Sequence, residues 1–527
     1  MFKKSVLMIS LLSSLLVAVF AVQSSLSVVA SSSMIRVPDD YQTIQEAVDT
    51  ASPGDMVFVS AGTYYEHVRV SKGVLLMGES QETTIIDGNR TGDVLYVTAS
   101  NVRIMGFTIR NGGGLDVCLA CGIVLENSDN SVICSNTIAS NMYGGIYLER
   151  SSKNLICNNQ ILNNGGGGPG LRYGVGIQSS YSNSNIVCGN SISKNVVSGI
   201  SIIDSYDNII DHNTVIEGSI GVDITASGNI VSYNVLSLNG DGIALSGSGN
   251  TIKKNEIFKN DIGIGIGYSS ASVVSENNIT ENYHGITMAH GSPDVMIVAN
   301  VISKNHNGIL IHYSNGSIIH HNNFINNTVN VPEDVYPNVN TWDDDYPSGG
   351  NYWSDYLDAD FQNGPHQNLT GSDGIGDTPH TLDARNEDRF PLMGPIIFFD
   401  AGIWNESSCD IQVISNSTIS SFQLNKTQRI ISFNVASLNY TVGFCRVTIP
   451  NAITEDLWQN NYTVLVDGIP QTINNWTDNT YTYIYFTYLH SQHEIVIIPE
   501  FPTATILLLL ITLSTITATL TKKEFSK

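Results

Sequence analysis

The stretch GISIIDSYDNIIDHNTVIEGSIGVDITASGNIVSYNVLSLNGDGIAL, residues 199–245, contains the pattern that decides the fold. Glycine followed by Ile or Val recurs at Gly199, Gly221 and Gly242, and apolar residues alternate with polar ones after these glycines. Alternation with a period of two predicts short β-strands. Such strands, repeated every 21 or 22 residues, predict a solenoid of stacked coils rather than a helix-pair repeat.

The same pattern extends over nine repeats in three columns that stay in phase. The glycine column comprises Gly122, Gly145, Gly176, Gly199, Gly221, Gly242, Gly263, Gly285 and Gly308. A first asparagine column comprises Asn136, Asn159, Asn190, Asn213, Asn234, Asn255, Asn277, Asn300 and Asn322. A second one follows five residues later, with Gly218 as its one exception: Asn141, Asn164, Asn195, Asn239, Asn260, Asn282, Asn305 and Asn327. A leucine-rich repeat is excluded because the leucine framework is missing, so we predict an all-β, parallel β-helix.

Each column has a physical reason. The aliphatic residue three positions before each first-column asparagine, such as Ile133, is expected to face inward, where burial is worth about 1.5–3 kcal/mol. The asparagines are expected in turns that need left-handed backbone, with their amides stacked in a ladder. The 31-residue interval between Gly145 and Gly176 contains GGGGPG, Gly165–Gly170. We expect a loop there, on a flank where solenoids commonly bind ligands.

Residues on both sides of the repeats resemble a known group of proteins. The opening IRVPDDYQTIQEAVDTASPGDMVFVSAGTYYEHVRVSKGVLLMGES, residues 35–80, contains a predicted helix at 44–50 that would cap the solenoid. It resembles pectin-lyase-like carbohydrate-binding and sugar-hydrolase proteins, a group that includes the NosD family. The segment GGNYWSDYLDADFQNGPHQNLTGSDGIGDTPHTLDARNEDRFPLM, residues 349–393, resembles the end of NosD-like β-helices. The resemblance implies a right-handed β-helix over 34–345 with a closing segment at 346–395, and an exported accessory factor linked to copper-site maturation.

The two ends of the chain predict export and anchoring. Residues 1–30 have the basic start, apolar run and small-residue end of a secretory signal. Alternating patterns and an Asp-Gly turn at 467–468 predict a β-sandwich over 396–500. Residues 503–521 are uncharged and precede two lysines, which predicts a transmembrane anchor. GFCRVTIP at 443–450 and IPEFP at 498–502 resemble the terminal module and anchor of archaeal surface proteins. Eleven Asn-x-Ser/Thr sequons also fit an exported chain.

The charge balance bears on which classes of partner the protein can bind. With 24 basic against 48 acidic residues the net charge is -24, which repels a phosphate backbone, so nucleic acid is not expected. Such acidity keeps an extracellular protein soluble and is compatible with divalent cations.

Candidate acid–base residues cluster near one coil. Pectin-lyase-like enzymes gather carboxylates and bases on one strand face, and an acid–base pair could come from this set: Asp204, Asp207, Asp211, His212 and Asp223. A solvated acidic edge is the alternative, because no Arg or Lys stands nearby to bind a uronate.

Seven cysteines predict bridges or a soft metal site. Cys134, Cys157 and Cys188 each precede a first-column asparagine by two residues, so they should stack outward on three coils, within reach of an inter-coil disulfide such as Cys134–Cys157. Three stacked thiolates could instead bind Cu(I). Two further pairs are predicted: Cys118 with Cys121, and Cys409 with Cys445.

Two other metal sites are conceivable. Asp373 and Asp377, in DGIGD, resemble an acidic Ca²⁺ loop, but the NosD-like pattern has further aspartates where this chain has Asn368, Thr370 and Ser372. Copper, implied by the NosD resemblance, would favour the histidines and methionines of the last coils. The columns do not align this set well: His284, His290, His306, His312, His320, His321, Met288 and Met296.

The sequence therefore predicts a surface-anchored β-helix that binds or presents polysaccharide, or serves as a structural envelope protein, without a clear catalytic centre. The first alternative is a polysaccharide lyase, hydrolase or epimerase acting on acidic sugars. The second, by resemblance to NosD, is a copper-related accessory protein.

Overall fold

The computed structural model describes residues 33–114, 120–166, 174–333, 338–438 and 441–500. The chain divides into two compact units, Met1–Ser269 and Ser270–Lys527. The predicted signal peptide at 1–30 and the predicted membrane span at 503–521 lie outside the described residues. Within those described ranges, none of the helices combines the length and apolarity needed to cross a bilayer.

Unit 1 is a right-handed coil of three parallel sheets. Sheet 1 contains Met34–Val37, Met56–Val59, Leu75–Gly78, Arg103–Met105, Val132–Cys134, Leu155–Cys157, Ile186–Cys188, Ile209–Asp211, Ile230–Ser232 and Thr251–Lys253. Sheet 2 contains Gly62–Tyr64, Thr84–Asp87, Thr108–Arg110, Thr137–Ala139, Gln160–Leu162, Ser191–Ser193, Thr214–Ile216, Val235–Ser237 and Glu256–Phe258. Sheet 3 contains Val68–Val70, Leu95–Val97, Cys121–Glu126, Gly144–Glu149, Val175–Ser180, Ser198–Ile203, Ile220–Thr225, Asp241–Ser246 and Ile262–Gly267.

The inward column of unit 1 is confirmed. Ile133, Ile156, Val187 and Ile210 lie at the centres of successive sheet 1 strands and are at most 2% exposed. Because side chains alternate across a strand, the residues on either side of each centre point outward. The coil therefore has a continuous aliphatic core and carries its chemistry on the outward sides of the sheets.

The asparagine ladder is confirmed. The left-handed backbone conformation, however, was predicted at the asparagine and is found one residue before it. Asn213 is fully buried, and its amide nitrogen donates to Asn234 Oδ1 at 3.0 Å in the next coil. The left-handed residue is its predecessor, His212, with φ 54°. The preceding residue turns the chain, and the asparagine amide then joins adjacent coils inside the core.

The predicted N-terminal helix is confirmed at Ile44–Thr50. Its residues Ile44, Ala47 and Val48 are buried against the first strands of unit 1. The predicted glycine-rich loop lies largely outside the described residues, at 167–173; its described part, Gly165 and Gly166, has positive φ of 100° and 131°.

Unit 2 begins with further coils of the same kind. Its parallel strands are Val273–Ser275, Asn278–Thr280, His284–Ala289, Met296–Val298, Val301–Ser303, Asn307–Ile311, Ile318–His320, Asn323–Ile325 and Tyr352–Trp353. The last of them pairs with Asn323–Ile325, and the Trp353 ring stacks on Phe324 at 4.1 Å. Two short hairpins follow, Gln362–Asn363 with Leu369–Thr370 and His380–Thr381 with Glu387–Asp388.

Unit 2 ends in two antiparallel sheets with a shared core, the arrangement of a β-sandwich. One sheet contains Ile396–Trp404, Ser407–Ser415, Val442–Pro450, Asn474–Thr477 and Tyr481–Leu489. The other contains Thr418–Asn425, Ile430–Ala436, Tyr462–Val466, Ile469–Pro470 and Gln492–Pro499. The predicted turn at 467–468 joins two of these strands with φ of 50° and 77°. The helix Asn451–Trp458 was not predicted.

Candidate functional site

The five predicted acid–base residues are not brought into one site. Asp204 and Asp207 lie in the turn between sheets 3 and 1, both with positive φ. Asp211 ends a strand of sheet 1, where its Oδ2 lies 2.5 Å from His212 Nδ1. Asp223 lies on a strand of sheet 3. Asp211 and Asp223 therefore lie on different sheets and face different sides of the coil.

Sheet 3 presents tyrosine and glutamate side chains that sequence analysis missed. Tyr96 and Tyr147 occupy the same outward position two coils apart, with Val124 between them in register. Glu126 and Glu149 are direct neighbours in register, two residues further along their strands. We call Tyr96, Glu126, Tyr147 and Glu149 the tyrosine–glutamate face.

Each glutamate of this face accepts a hydrogen bond from a tyrosine. The Tyr147 hydroxyl donates to Glu149 Oε2 at 2.6 Å, and the Tyr96 hydroxyl donates to Glu126. Burial raises the pKa of Tyr147, and the Glu149 carboxylate raises it further. The Arg69 guanidinium lies 5.2 Å from the Tyr96 ring centre. The face thus combines aromatic rings with carboxylate acceptors, which suits the apolar planes and hydroxyl groups of sugars.

The third and fourth coils of sheet 3 beyond Tyr147 are acidic, whereas the two coils between carry Gln178 and Ser201 at the outward position. Burial raises the pKa of Asp223, and the nearby Asp241 carboxylate adds to the shift. Burial likewise raises the pKa of Asp241, with a contribution from Asp261. A carboxylate ligand would meet like charge here, so this side of the coil favours neutral or cationic groups over uronates.

Sheet 1 carries a line of sulfur side chains on its outward side, of which sequence analysis found only the cysteines. Five residues occupy one position in five successive coils, in register throughout: Met77, Met105, Cys134, Cys157 and Cys188. We call them the sulfur row. The same position is held by Asp211 in the next coil.

Cys134 and Cys157 are the closest pair of this row. Their Sγ atoms lie 2.7 Å apart, and both are free thiols in the structure. The hydrogen bond from Cys157 lowers the pKa of Cys134 to about 6, and the same bond, together with burial, raises the pKa of Cys157. The predicted disulfide between them is within reach and stays a prediction.

Of the two remaining predicted cysteine pairs, Cys118 with Cys121 stays a prediction, whereas Cys409 and Cys445 are not brought together. Cys118 lies outside the described residues, and Cys121 is a buried thiol. Cys445 pairs in register with Ser415, which is six residues from Cys409 along its strand. At about 3.4 Å per residue this separates the two cysteines by roughly 20 Å, beyond the span of a disulfide.

Two of the predicted histidines come together with an aspartate that sequence analysis missed. The candidate ligand atoms of His320, His321 and Asp344 all lie within 4.8 Å of one another. Burial lowers the pKa of His321 to about 3 and also lowers the pKa of His320, so both rings are neutral at neutral pH. The Nδ1 atom of His320 is buried without a hydrogen-bond partner. We call these three residues the histidine–aspartate group.

The other predicted histidines and methionines of the last coils make contacts outside the histidine–aspartate group. His306 stacks on Tyr283 at 4.7 Å, and His284 Nδ1 contacts the Asn307 side chain at 3.0 Å. Met288 is fully buried in the coil, whereas Met296 points outward and is 38% exposed. His284 and His306 both pack on the Tyr283 ring, but among the described residues these histidines form no group of three ligand atoms within 4.8 Å of one another.

The predicted calcium loop uses its carboxylates as backbone caps. Asp373 accepts from the Ile375 N–H at 3.0 Å, and Asp377 accepts from two backbone N–H groups. A third carboxylate, Asp360, accepts from Asp373 and Gly374, and burial raises its pKa to about 7. A Ca²⁺ ion would need the same carboxylate oxygens as ligands. Calcium binding at this loop stays a prediction.

The coiled sheets and their outward rows define a protein of the right-handed parallel β-helix class. The chain belongs to the family described as periplasmic copper-binding protein (NosD), whose sequence profile matches residues 48–229 and 166–357. These matches together span more than half of the 527 residues.

Several solved structures are similar to this chain, while no curated protein matches it. The mannuronan C-5 epimerase AlgE4 A-module of Azotobacter vinelandii is 16% identical, with a TM-score of 0.49 over 56% of this chain and 94% of that one. PfbA, a surface adhesin of Streptococcus pneumoniae, is 17% identical, with a TM-score of 0.43 over 58% and 96%. A GH87 α-1,3-glucanase catalytic domain, solved with nigerose, is 13% identical, with a TM-score of 0.44 over 61% and 69%. Likeness of this size identifies no ligand or reaction for this chain.

Copper, which the family description names, can be tested against the donor groups present. Neutral imidazole is a good copper ligand, and the unpartnered Nδ1 of His320 is an orphaned buried atom beside two further donors. The histidine–aspartate group therefore fits a copper ion. The sulfur row supplies softer donors of a different kind.

Proposed function

We propose that this chain is an exported β-helix protein that binds a polysaccharide along the tyrosine–glutamate face of unit 1. The observation that carries the proposal is that two tyrosine hydroxyls donate to glutamate carboxylates, Tyr96 to Glu126 on the adjacent coil and Tyr147 to Glu149 on its own strand. The rings supply stacking surfaces, and the second oxygen of Glu126 can accept a sugar hydroxyl, whereas the second oxygen of Glu149 lies 3.2 Å from the exposed Arg150 guanidinium.

Spacing and charge indicate the kind of glycan. Tyr96 and Tyr147 lie two coils apart, which is roughly 9.6 Å at the usual strand separation and about the length of a disaccharide. Burial raises the pKa values of Asp223 and Asp241, and a neighbouring carboxylate adds to each shift, so carboxylates lie near one another on the same sheet. Neutral or amino-sugar polymers are therefore the expected ligands, rather than the acidic sugars first considered.

The test is binding of the full-length chain to a panel of neutral, amino and uronic polysaccharides. Tyr147→Ala should weaken binding of the neutral polymer by roughly tenfold, because a central aromatic contact is lost. The matched control is Tyr181→Ala, which removes a tyrosine that is 56% exposed outside this face. Equal affinities of the two variants, or preference for uronates, would overturn the proposal.

The same experiment separates binding from catalysis. Glu126 and Glu149 are adjacent carboxylates, an arrangement that acid–base hydrolysis also uses. Polysaccharide recovered intact after long incubation supports a binding protein. New reducing ends or unsaturated products that disappear in Glu149→Gln would instead establish a lyase or hydrolase.

Copper handling is a second candidate function, favoured by the unpartnered His320 Nδ1. Cu²⁺ titration of the full-length chain should reveal a site with nitrogen ligands by electron paramagnetic resonance. His320→Ala should remove that signal, whereas His290→Ala, outside the histidine–aspartate group, should retain it. A nitrogen signal that persists in His320→Ala rules out this site.

A further inference from the structure

The sandwich of unit 2 contains sequons whose asparagine side chains are accessible. One sequon occupies 405–407 and another occupies 461–463. Asn405 and Asn461 are both exposed, and neither side chain hydrogen-bonds to any of the described residues. Attachment of a bulky glycan to an asparagine requires such an accessible amide nitrogen on the protein surface. Both asparagines therefore meet the first requirement of a modification site.

The first of these sequons lies at the tip of a hairpin. Trp404 and Ser407 are paired across the two strands, and Asn405 and Glu406 between them have φ of 48° and 66°. Left-handed values at both central positions are those of a tight two-residue hairpin turn. Ser407 is exposed as well. The amide and the hydroxyl that a transferase must reach are thus both accessible at this tip.

Both sequons lie at one end of the sandwich, which we call its far end. The Lys426 ammonium donates to the Ile403 carbonyl at 3.3 Å, next to the hairpin tip. Trp458, the last residue of its helix, donates through Nε1 to the Arg429 carbonyl at 2.8 Å. Residues 426 and 429 belong to one connection between strands, so the hairpin tip and the end of the helix both contact this connection. Asn461 follows the helix by three residues.

The last described residue of the chain lies beside the second sequon. The Asn461 carbonyl accepts the N–H of Glu500 at 3.1 Å. Glycans on Asn405 and Asn461 would therefore lie around the point at which the described chain leaves the sandwich.

Two other sequons of unit 2 are held by the fold. The Asn416 amide nitrogen donates to the Val442 carbonyl at 3.1 Å, and its oxygen accepts the Phe444 N–H at 3.1 Å. The sequon at 315–317 ends in Ser317, which is fully buried, and Asn315 Oδ1 accepts the N–H of a neighbouring segment at 2.8 Å. A bulky substituent at either asparagine would disturb these contacts.

We propose that Asn405 and Asn461 carry N-linked glycans, which cover the far end of the sandwich. A membrane glycosyltransferase supplies the sugar from a lipid-linked oligosaccharide phosphate. The amide nitrogen forms a bond to the anomeric carbon and loses one proton, and the bond between that carbon and the phosphate oxygen breaks. The lipid phosphate takes up the proton and leaves, so no electron is transferred.

This modification rests on export of the chain, which is part of the proposed function, but not on glycan binding by the tyrosine–glutamate face. That face lies on sheet 3 of unit 1, whereas both asparagines lie in the sandwich of unit 2. A chain without attached sugar can still bind polysaccharide, and a chain that binds no polysaccharide can still be modified.

The experiment is glycopeptide mass spectrometry of the full-length chain purified from its native host. Asn405 and Asn461 should each carry an oligosaccharide, whereas Asn315 and Asn416 should be unmodified. Ser407→Ala should abolish the glycan on Asn405 and lower the intact mass by one oligosaccharide, because the sequon loses its hydroxyl. Ser407→Thr keeps the sequon and should keep the glycan.

Ser408→Ala is the matched control, because Ser408 is the next exposed serine and belongs to no sequon. It should retain the glycan on Asn405. Polysaccharide binding, measured on the same preparations, tests the tyrosine–glutamate face separately. An unmodified Asn405 or Asn461 in wild type, or as much sugar on Asn416 as on Asn405, would overturn the proposal. So would a glycan on Asn405 that persists in Ser407→Ala.

Discussion

At the scale of single residues, the buried asparagine is the unit that joins coil to coil. The Asn213 side chain donates to the Val187 carbonyl at 2.8 Å and to Asn234 at 3.0 Å. Its Oδ1 accepts the backbone N–H of Asn190 at 3.0 Å and the side-chain amide at 2.9 Å. One amide thus satisfies groups in the coils before and after its own, where water has no access.

Asn213→Ala should lower the free energy of unfolding by about 2–4 kcal/mol, because the Asn190 N–H and the Val187 carbonyl lose buried partners. Urea denaturation followed by circular dichroism measures the change, and hydrogen exchange should quicken in the neighbouring coils. The control is Thr214→Ala, an exposed neighbour in the same coil. Denaturation midpoints that match would mean that the ladder adds nothing to stability.

Sequence periodicity could predict this residue and the stacked cysteines, but not the other outward side chains that align with them. Asn213 belongs to a column with nearly constant spacing, and burial of that column requires the same amide in each coil. Met77 and Met105 precede Cys134 by longer and unequal intervals, so their alignment became visible only through strand register. Asp344 reaches His320 from the closing segment, and no local pattern links the two.

At the scale of elements, the N-terminal helix is capped from outside. The carboxylate of Glu66 accepts the N–H groups of Ile44 and Gln45, each at 3.0 Å, and Thr43 accepts that of Glu46. A carboxylate at a helix N-terminus accepts hydrogen bonds from the free N–H groups of the first turn and interacts favourably with the positive end of the helix dipole. This contact fixes the helix over the start of unit 1. The helix was predicted from the sequence, but the distant cap was not.

Glu66→Ala should destabilise the helix by about 1–3 kcal/mol, since two charge-assisted hydrogen bonds are lost. Glu66→Gln should lie between that variant and wild type, because one amide oxygen replaces two carboxylate oxygens. Hydrogen exchange resolved by mass spectrometry should show faster exchange at 44–50 and no change at 200–250. Asp49→Asn removes a charge from the same helix without uncapping it. If exchange at 44–50 is as slow in Glu66→Ala as in Asp49→Asn, the cap is unimportant.

At the scale of the whole molecule, a buried arginine ties the sandwich of unit 2 to the segment that closes its coils. Arg446 is 1% exposed, its Nη1 donates to the Asp373 carbonyl at 3.2 Å, and its other terminal nitrogen donates to the Pro347 carbonyl. The guanidinium carbon lies 5.1 Å from the Tyr483 ring centre. These contacts join chain segments that are about 70 to 100 residues apart in sequence.

Arg446→Ala should loosen this junction and cost roughly 2–4 kcal/mol, because two buried carbonyl groups lose their donor and a cavity forms. Limited proteolysis of the full-length chain should then cut between 343 and 395 and release a stable sandwich fragment. Arg385→Ala removes an exposed arginine of the closing segment and should leave the cleavage pattern unchanged. Cleavage that does not differ between the two variants would show that the junction is held elsewhere.

The uniformity of the asparagine ladder has one more consequence. Each coil offers its neighbour the same asparagine amide at the same position. The hydrogen bonds of the ladder therefore do not specify which coil pairs with which. A misaligned chain, or a second chain, could satisfy it equally well. Correct ordering must therefore come from the irregular features, above all the 31-residue interval and the helix that blocks one end. A β-helix needs such end-covering features because its open end exposes unpaired strand edges to which a further chain could add.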